Sequence, residues 1–243
     1  MNNKIPKHIF NKYKQLAMES GPNSKQVGVY KGLFLNELST IQFEAAIGLM
    51  LGDASLQTQS KGVMKDITYR MKFEWSDKNK PYVDHVHELF DEWIFAKPHQ
   101  KIRTNSKGNV VTTWGFQTIS HKAFNKLSVL FLMNNKKGIP QNLIKDYLTE
   151  RSLAYWFMDD GGKLDYNINS KNMSIVLNTH CFTDKEVETM AIELSKKFNL
   201  ICSTRKNKSK TIIVIDSSSY NNFLNLTDKY IIPEMKYKLP KLS

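Results

Sequence analysis

The sequence predicts an α+β fold built as two successive αββαββα units, and three observations predict it. An apolar helical stretch ending in an acid occurs twice, at residues 46–54 (A-I-G-L-M-L-G-D-A) and 153–161 (L-A-Y-W-F-M-D-D-G). Asp53 and Asp160 thereby stand about one small domain apart. Behind each copy lie short strand-like arms around polar turns, then a helix at 3.6-residue spacing. That order of elements recurs, which marks an internal duplication.

Ahead of the first copy, residues 1–20 predict a basic helix, with Ile5, Ile9, Phe10, Tyr13, Leu16 and Ala17 near helical spacing and Pro6 confined to the first turn. Gly21-Pro22-Asn23-Ser24 breaks it. A polar helix or irregular stretch reaches Glu37, and Ser39 or Thr40 suits the N-cap of the first motif helix. Residues 55–58 and 68–75 predict a hairpin around a polar turn containing Gly62. Its second arm alternates, with Tyr69, Met71, Phe73 and Trp75 facing a core and Arg70, Lys72 and Glu74 facing outward. Ser76-Asp77 opens a helix through Val83, Val86, Leu89, Phe90 and Trp93. Strands 100–104 and 110–117 flank Ser106-Lys107-Gly108-Asn109, and a helix from Ser120 through Phe131 closes at Lys136-Lys137-Gly138-Ile139-Pro140.

The second motif helix leads into strands 163–167 and 174–180. Thr183 with Glu186 forms a capping box for a helix through Val187, Met190, Leu194 and Phe198. Two strands then flank the basic turn 206–210, and Ser217 to Ser219 cap a last helix ending near Pro233. The domains expected are an appendage at 1–36, half-domains at 37–140 and 151–243, and a linker at 141–150. That linker is neither Gly/Ser-rich nor of low complexity, so the halves are expected to pack tightly.

Taken alone, residues 153–161 describe a helix ending in an Asp-Gly turn. The acids are nonetheless misplaced, because a helix C-terminus disfavours Asp by about 0.3–1 kcal/mol. A cation is therefore expected opposite Asp159 and Asp160.

Both nonapeptides resemble the LAGLIDADG motif, and their duplication resembles the single-chain, two-motif homing endonucleases of mitochondrial introns. The second copy matches at its ends (Leu153, Ala154, Asp160, Gly161) and departs at Tyr155 and Trp156. The first keeps Gly48, Leu49 and Asp53 but ends in Ala54. Flanking blocks F-E-W at Phe73, F-N-K-L at Phe124, S-I-V-L-N-T at Ser174 and Y-K-L-P at Tyr237 extend the likeness from about Gly21 to Pro240.

The resemblance implies a saddle of two antiparallel sheets with the motif helices side by side at the seam. Ala46, Gly48, Gly52 and Ala154 would let those helices approach closely. It also implies metal-dependent hydrolysis of both strands of a long asymmetric DNA site, leaving short 3′ overhangs. Asp53 and Asp160 would hold Mg²⁺, with carbonyls of Gly52 and Asp159 as further ligands. Mn²⁺ would substitute, and Ca²⁺ would support binding without cleavage. Lys137 and Lys238, each shortly before a proline, would approach the scissile phosphates, although both also read as ordinary surface lysines. DNA contacts are expected from the strands. In the first half they are Arg70, Lys72, Glu74, Lys101 and Arg103. In the second they are Lys163, Asp165, Tyr166, Asn167, Asn178, His180, Arg205 and Lys208. Any of these could meet phosphate instead of a base, and Lys122 reads as a phosphate contact or a solvated residue.

Composition agrees. The chain has 243 residues, 41% hydrophobic, and a net charge of +12. That balance suits a polyanionic partner, though many merely soluble proteins share it. No apolar run approaches the ~20 residues of a membrane span, and no secretory signal is legible. Cys181 and Cys202 lack metal-ligand spacing, so reduced thiols are expected. Asp84-His85-Val86-His87 is a poor zinc candidate, since helical positions two apart face differently. A monomer on duplex DNA in the mitochondrial matrix follows by resemblance. An RNA maturase serving the host intron, a bifunctional protein and a silent DNA-binding protein remain alternatives.

Overall fold

The computed structural model describes residues 6–58, 67–133, 136–167 and 170–240. Ile5 and the turn at Gly62 lie outside the described residues. The chain forms two compact units. One takes the chain up to Ser39 with Leu56–Phe124, and the other takes Thr40–Ser55 with Asn125–Ser243. Among the described residues no helix is long and apolar enough to cross a membrane.

In the first unit, α1 (Lys7–Met18) and α2 (Lys25–Phe34) flank the expected break. Pro6 sits just before α1, where its missing N–H costs nothing. Ser24 caps α2 by accepting from the Val27 amide at 3.3 Å. Leu16 stays 43% exposed, and Tyr30 does the burying instead, with no exposure at all. Its ring lies among Phe10, Phe34 and Phe95, and its hydroxyl donates to the Glu92 carbonyl at 2.7 Å.

The next helix, α3 (Thr40–Leu51), belongs to the second unit. The chain continues through β1 (Ser55–Thr58), β2 (Tyr69–Ser76), α4 (Lys80–Leu89), β3 (His99–Thr104) and β4 (Val110–Gln117). The sheet order is β1-β2-β4-β3, with β4 antiparallel to both β2 and β3. The alternation read along β2 holds, because Met71, Phe73 and Trp75 are buried, with Tyr69 only half-buried. Phe73 pairs with Phe116 across the strands, and α4 covers this face with Tyr82, Val83 and Val86.

The second unit holds α3, α5 (Asn125–Phe131), the two-residue strands β5 (Leu132–Met133) and β6 (Lys136–Lys137), and α6 (Leu143–Tyr147) within the expected linker. Then come α7 (Glu150–Asp160), β7 (Gly161–Lys163), β8 (Ile175–Leu177), α8 (Asp184–Phe198), β9 (Cys202–Asn207), β10 (Lys210–Ile215) and α9 (Tyr220–Thr227). The motif helices are buried nearly all round, from Ala45 to Leu51 in α3 and from Ser152 to Asp159 in α7. That is the mark of a helix enclosed by others, not one lying on a surface. The second sheet runs β7-β8-β10-β9, the same order as the first, so the duplication extends to sheet topology.

Several details depart from expectation, among them the helix read to Trp93, which ends at Leu89, and the last helix, read to near Pro233, which ends at Thr227. The strand read at 163–167 is β7, starting directly at Gly161 and ending at Lys163. Beyond it the Asp165 side chain accepts from the Asn167 amide at 2.9 Å, an Asx turn that draws the chain off the ladder. The strand read at 174–180 shortens to Ile175–Leu177, because the next amide, that of Asn178, still bonds in register to the Asp160 carbonyl, but Asp160 already belongs to α7. Finally, Asp216, not Ser217–Ser219, caps the turn before α9, accepting from the Ser218 amide at 2.9 Å. The Thr183–Glu186 capping box on α8 is present as expected.

Candidate active site

The two motif helices share one unit, and their sequences dictate how closely they pack. A Cβ on Gly48 would fall 2.2 Å from the Ser152 carbonyl, and one on Gly52 would fall 2.3 Å from the Asp159 carboxylate. Only glycine fits either place. At the same motif position the second copy carries Asp159, which is 7% exposed and fills the space Gly52 leaves. Its carboxylate accepts from the Asp53 amide at 2.8 Å. Gly161 likewise serves packing and not a left-handed cap. Its φ is −89°, but a Cβ there would lie 2.5 Å from the Phe157 carbonyl.

Each helix C-terminus meets a lysine, which supplies the cation expected opposite the acids. Lys137 Nζ donates to the carbonyls of Gly52 and of Ala54, the latter at 3.1 Å. Lys238 Nζ donates to those of Met158 at 2.6 Å and Asp159 at 2.8 Å. The carbonyls expected to join a metal thus already accept from lysines. Burial, and next the charge of Asp53, push the Asp160 carboxyl up to about 7, against the pull of Lys137 and Lys238. Asp53 reaches solvent, yet the protein around it also raises its acid, opposed by the same two lysines. Two acids and two lysines therefore share one field. The Cys181 thiol, which sequence reasoning did not place here, feels it too. It is raised by burial first, while Lys137 lowers it and both acids raise it.

The donor set decides which metal would fit. Two aspartates and helix-end carbonyls are all hard oxygen ligands. Among the described residues no cluster of three His, Cys, Asp or Glu side chains exists that could hold an ion. This donor set leaves most of a cation's coordination shell open. It suits a cation that completes its shell with water and substrate phosphate, as Mg²⁺ does.

The expected DNA contacts divide in two. In the first unit, Arg70 and Lys72 lie on the face of β2 opposite Phe73. Glu74 is drawn into a network with Lys101 (2.8 Å), Arg103 (3.0 Å) and Thr113 (3.0 Å). Burial would raise the Glu74 acid, but the bonds from Lys101 and Thr113 hold it down at about 2. It therefore stays ionised and organises its two cations. In the second unit, a groove of 300 Å³ gathers Lys163, Tyr166, Asn178 and Arg205. Asn178 donates its side-chain amide to the Asp160 carbonyl at 2.8 Å, which braces the end of α7 beside the acid. Asp165 is occupied by its turn with Asn167, and His180 stands exposed outside the groove. Lys208 marks the β9–β10 hairpin tip with φ 56°, and Lys122 opens a 3₁₀ turn.

Sequence reasoning gave Asp159 only a carbonyl role. The signal for its side chain was the pairing of a glycine with an aspartate at equivalent motif positions. Glu186 was read only as a cap, yet it also accepts from the Ile139 amide. No pattern in the sequence announces that contact.

Comparison with known proteins follows the same line. A model of the LAGLIDADG DNA endonuclease family matches residues 43–223. The chain is 48% identical over 235 residues to a probable intron-encoded endonuclease 1 of Wickerhamomyces canadensis, covering 97% of this chain and 98% of that one. It is 29% identical over 242 residues to the cytochrome b mRNA maturase bI2 of Saccharomyces cerevisiae, covering 94% of this chain and 53% of the maturase. Among solved structures, the homing endonuclease I-WcaI bound to its DNA recognition sequence matches with a TM-score of 0.86 at 46% identity. That match covers 95% of this chain and 99% of the other.

Proposed function

Because the chain belongs to the LAGLIDADG DNA endonuclease family, we propose that it cuts both strands of a long, asymmetric duplex DNA site by metal-dependent phosphodiester hydrolysis. The observation that carries this reading is the convergence of Asp53, Asp160, Lys137 and Lys238 on the ends of α3 and α7. A divalent cation held by Asp53 and Asp160, Mg²⁺ or in its place Mn²⁺, would supply an activated water and neutralise charge on the phosphate under attack. The chain's own residues do the rest. Asp159 and Asn178 hold the backbone beside each acid, at the Asp53 amide and the Asp160 carbonyl. Lys137 and Lys238 each place an ammonium group at one helix end, where it serves one scissile phosphate.

Two half-domains, 37–140 and 151–243, joined by 141–150 and preceded by an appendage at 1–36, account for the repeated sheet order. Arg70, Lys72, Lys101 and Arg103 in one half, and Lys163, Tyr166 and Arg205 in the other, take the DNA. Their side chains differ between halves, so the site is not a palindrome. We assign the protein to the mitochondrial matrix, as a monomer on its site.

The test is cleavage of a randomised duplex library in Mg²⁺, with Ca²⁺ in parallel binding lanes. One recovered sequence family, cut on both strands by the wild type and by neither Asp53→Asn nor Asp160→Asn, supports the reading. Selective binding without any metal-dependent cutting would overturn it.

A further inference from the structure

The segment carrying Lys137 is held at several points, and one of them comes from a distant helix. Lys137 pairs with Leu132 in the β5–β6 ladder, and the Gly138 amide donates to the Phe131 carbonyl at 3.0 Å. The next amide, that of Ile139, leaves this ladder and donates to Glu186 Oε1 at 3.0 Å. Glu186 stands in the first turn of α8. Its other oxygen, Oε2, accepts from the amide and hydroxyl of Thr183, both at 2.7 Å. A capping box needs only that second oxygen. The first is spent wholly on the lysine's segment. Gly138 lies close enough that a Cβ there would come within 3.3 Å of Glu186 Oε1, so the carboxylate is packed against the segment as well as bonded to it.

We propose that Glu186 is a positioning residue for Lys137, using one carboxylate oxygen to cap α8 and the other to fix the strand that aims the lysine. This deepens the proposed function and rests on its reading of Lys137. A two-residue ladder is a weak anchor by itself, being far shorter than an ordinary strand. Without the Ile139 contact, the β6 segment can shift by the few tenths of an ångström that separate a bond to the Ala54 carbonyl from none. Lys238 is placed differently, at the end of a 3₁₀ segment, Pro233–Lys238, that Glu186 does not touch among the contacts described. The effect therefore falls on one lysine, and through it on one DNA strand.

The experiment measures the two strand-cleavage rates on a supercoiled plasmid carrying the duplex recovered from the library, using full-length protein and Mg²⁺. Glu186→Asp keeps a charge in the first turn of α8 but loses the reach to Ile139. Glu186→Gln keeps the reach and an acceptor but loses the charge. Thr183→Ala breaks the capping box and leaves the Ile139 contact. Glu186→Asp should slow one strand at least tenfold more than the other and accumulate nicked circles, the slowed strand being the one that Lys137→Met slows. Glu186→Gln and Thr183→Ala should lower the melting temperature yet cut both strands in the wild-type ratio. Glu186→Asp cutting in the wild-type ratio, or Glu186→Gln as unbalanced as Glu186→Asp, overturns the proposal. If Lys137→Met itself slows both strands equally, the role read for that lysine is wrong and the proposal falls with it. Imbalance in Lys137→Met alone removes only the part assigned to Glu186.

Discussion

Adjacent aspartates at the end of α7 do different work, and the difference is set by what each side chain touches. Asp160 faces Asp53 and the two lysines, whereas Asp159 is turned into the helix contact to hold the Asp53 amide. Asp160→Asn is therefore expected to lower cleavage by orders of magnitude while DNA binding survives. Asp159→Asn keeps an acceptor for that amide and should cost far less, with Asp159→Ala between the two. Cleavage and gel-shift assays on one duplex rank them, and Asp159→Asn matching Asp160→Asn would refute the division. The raised acid of Asp160 also fixes a sign. Its carboxyl keeps a proton up to about pH 7 when folded, against an ordinary value of 3.8. The folded state thus binds more protons across that window, and metal-free stability falls as pH rises through it. In EDTA, the wild-type melting temperature should decline more steeply than that of Asp160→Asn between about pH 4 and 7, and parallel profiles would contradict this assignment. The acids were legible because charge at a helix end is a local conflict that must be answered, whereas Lys137 and Lys238 came from the family resemblance and read otherwise as ordinary surface lysines. The side-chain role of Asp159 was not, since it depends on what the other helix lacks.

Elements were legible where periodicity was long and ambiguous where it was short. The alternating arm of β2 and the Thr183–Glu186 box were readable because each is a local pattern. The limits of β7 and β8 were not, because they depend on an Asx turn and on where α7 ends at Asp160. Glycines show the same split. Gly48→Ala in α3 would drive a Cβ into the Ser152 carbonyl at 2.2 Å. Overpacking of this kind costs about 1–3 kcal/mol or more. Gly32→Ala in α2 meets nothing within 4 Å, and it should stabilise by roughly 0.4–1 kcal/mol through the unfolded chain. Thermal melts of the two variants should shift in opposite directions, and a shared sign would show that helix propensity outweighs packing here.

For the molecule as a whole, the duplicated motif and the family resemblance it carries supplied most of the prediction, and composition agreed with it. A net charge of +12, with cations ordered on both sheets, predicts that log affinity falls linearly with log salt, by about 0.9 per phosphate neutralised. Affinity unchanged between low and moderate salt would contradict phosphate tracking. The repeated order of elements was legible, and the identical strand order β1-β2-β4-β3 and β7-β8-β10-β9 extends it. What escaped notice was how unlike the two copies have become where it matters most. Gly52 leaves a gap and Asp159 fills it. A half carrying the first motif, mated with its own copy, would bring glycine against glycine and strand the Asp53 amide without an acceptor. A half carrying the second, mated likewise, would force two carboxylates into one space. Neither half is its own mate. Divergence at this single position therefore favours pairing of the first motif with the second over pairing of either motif with itself.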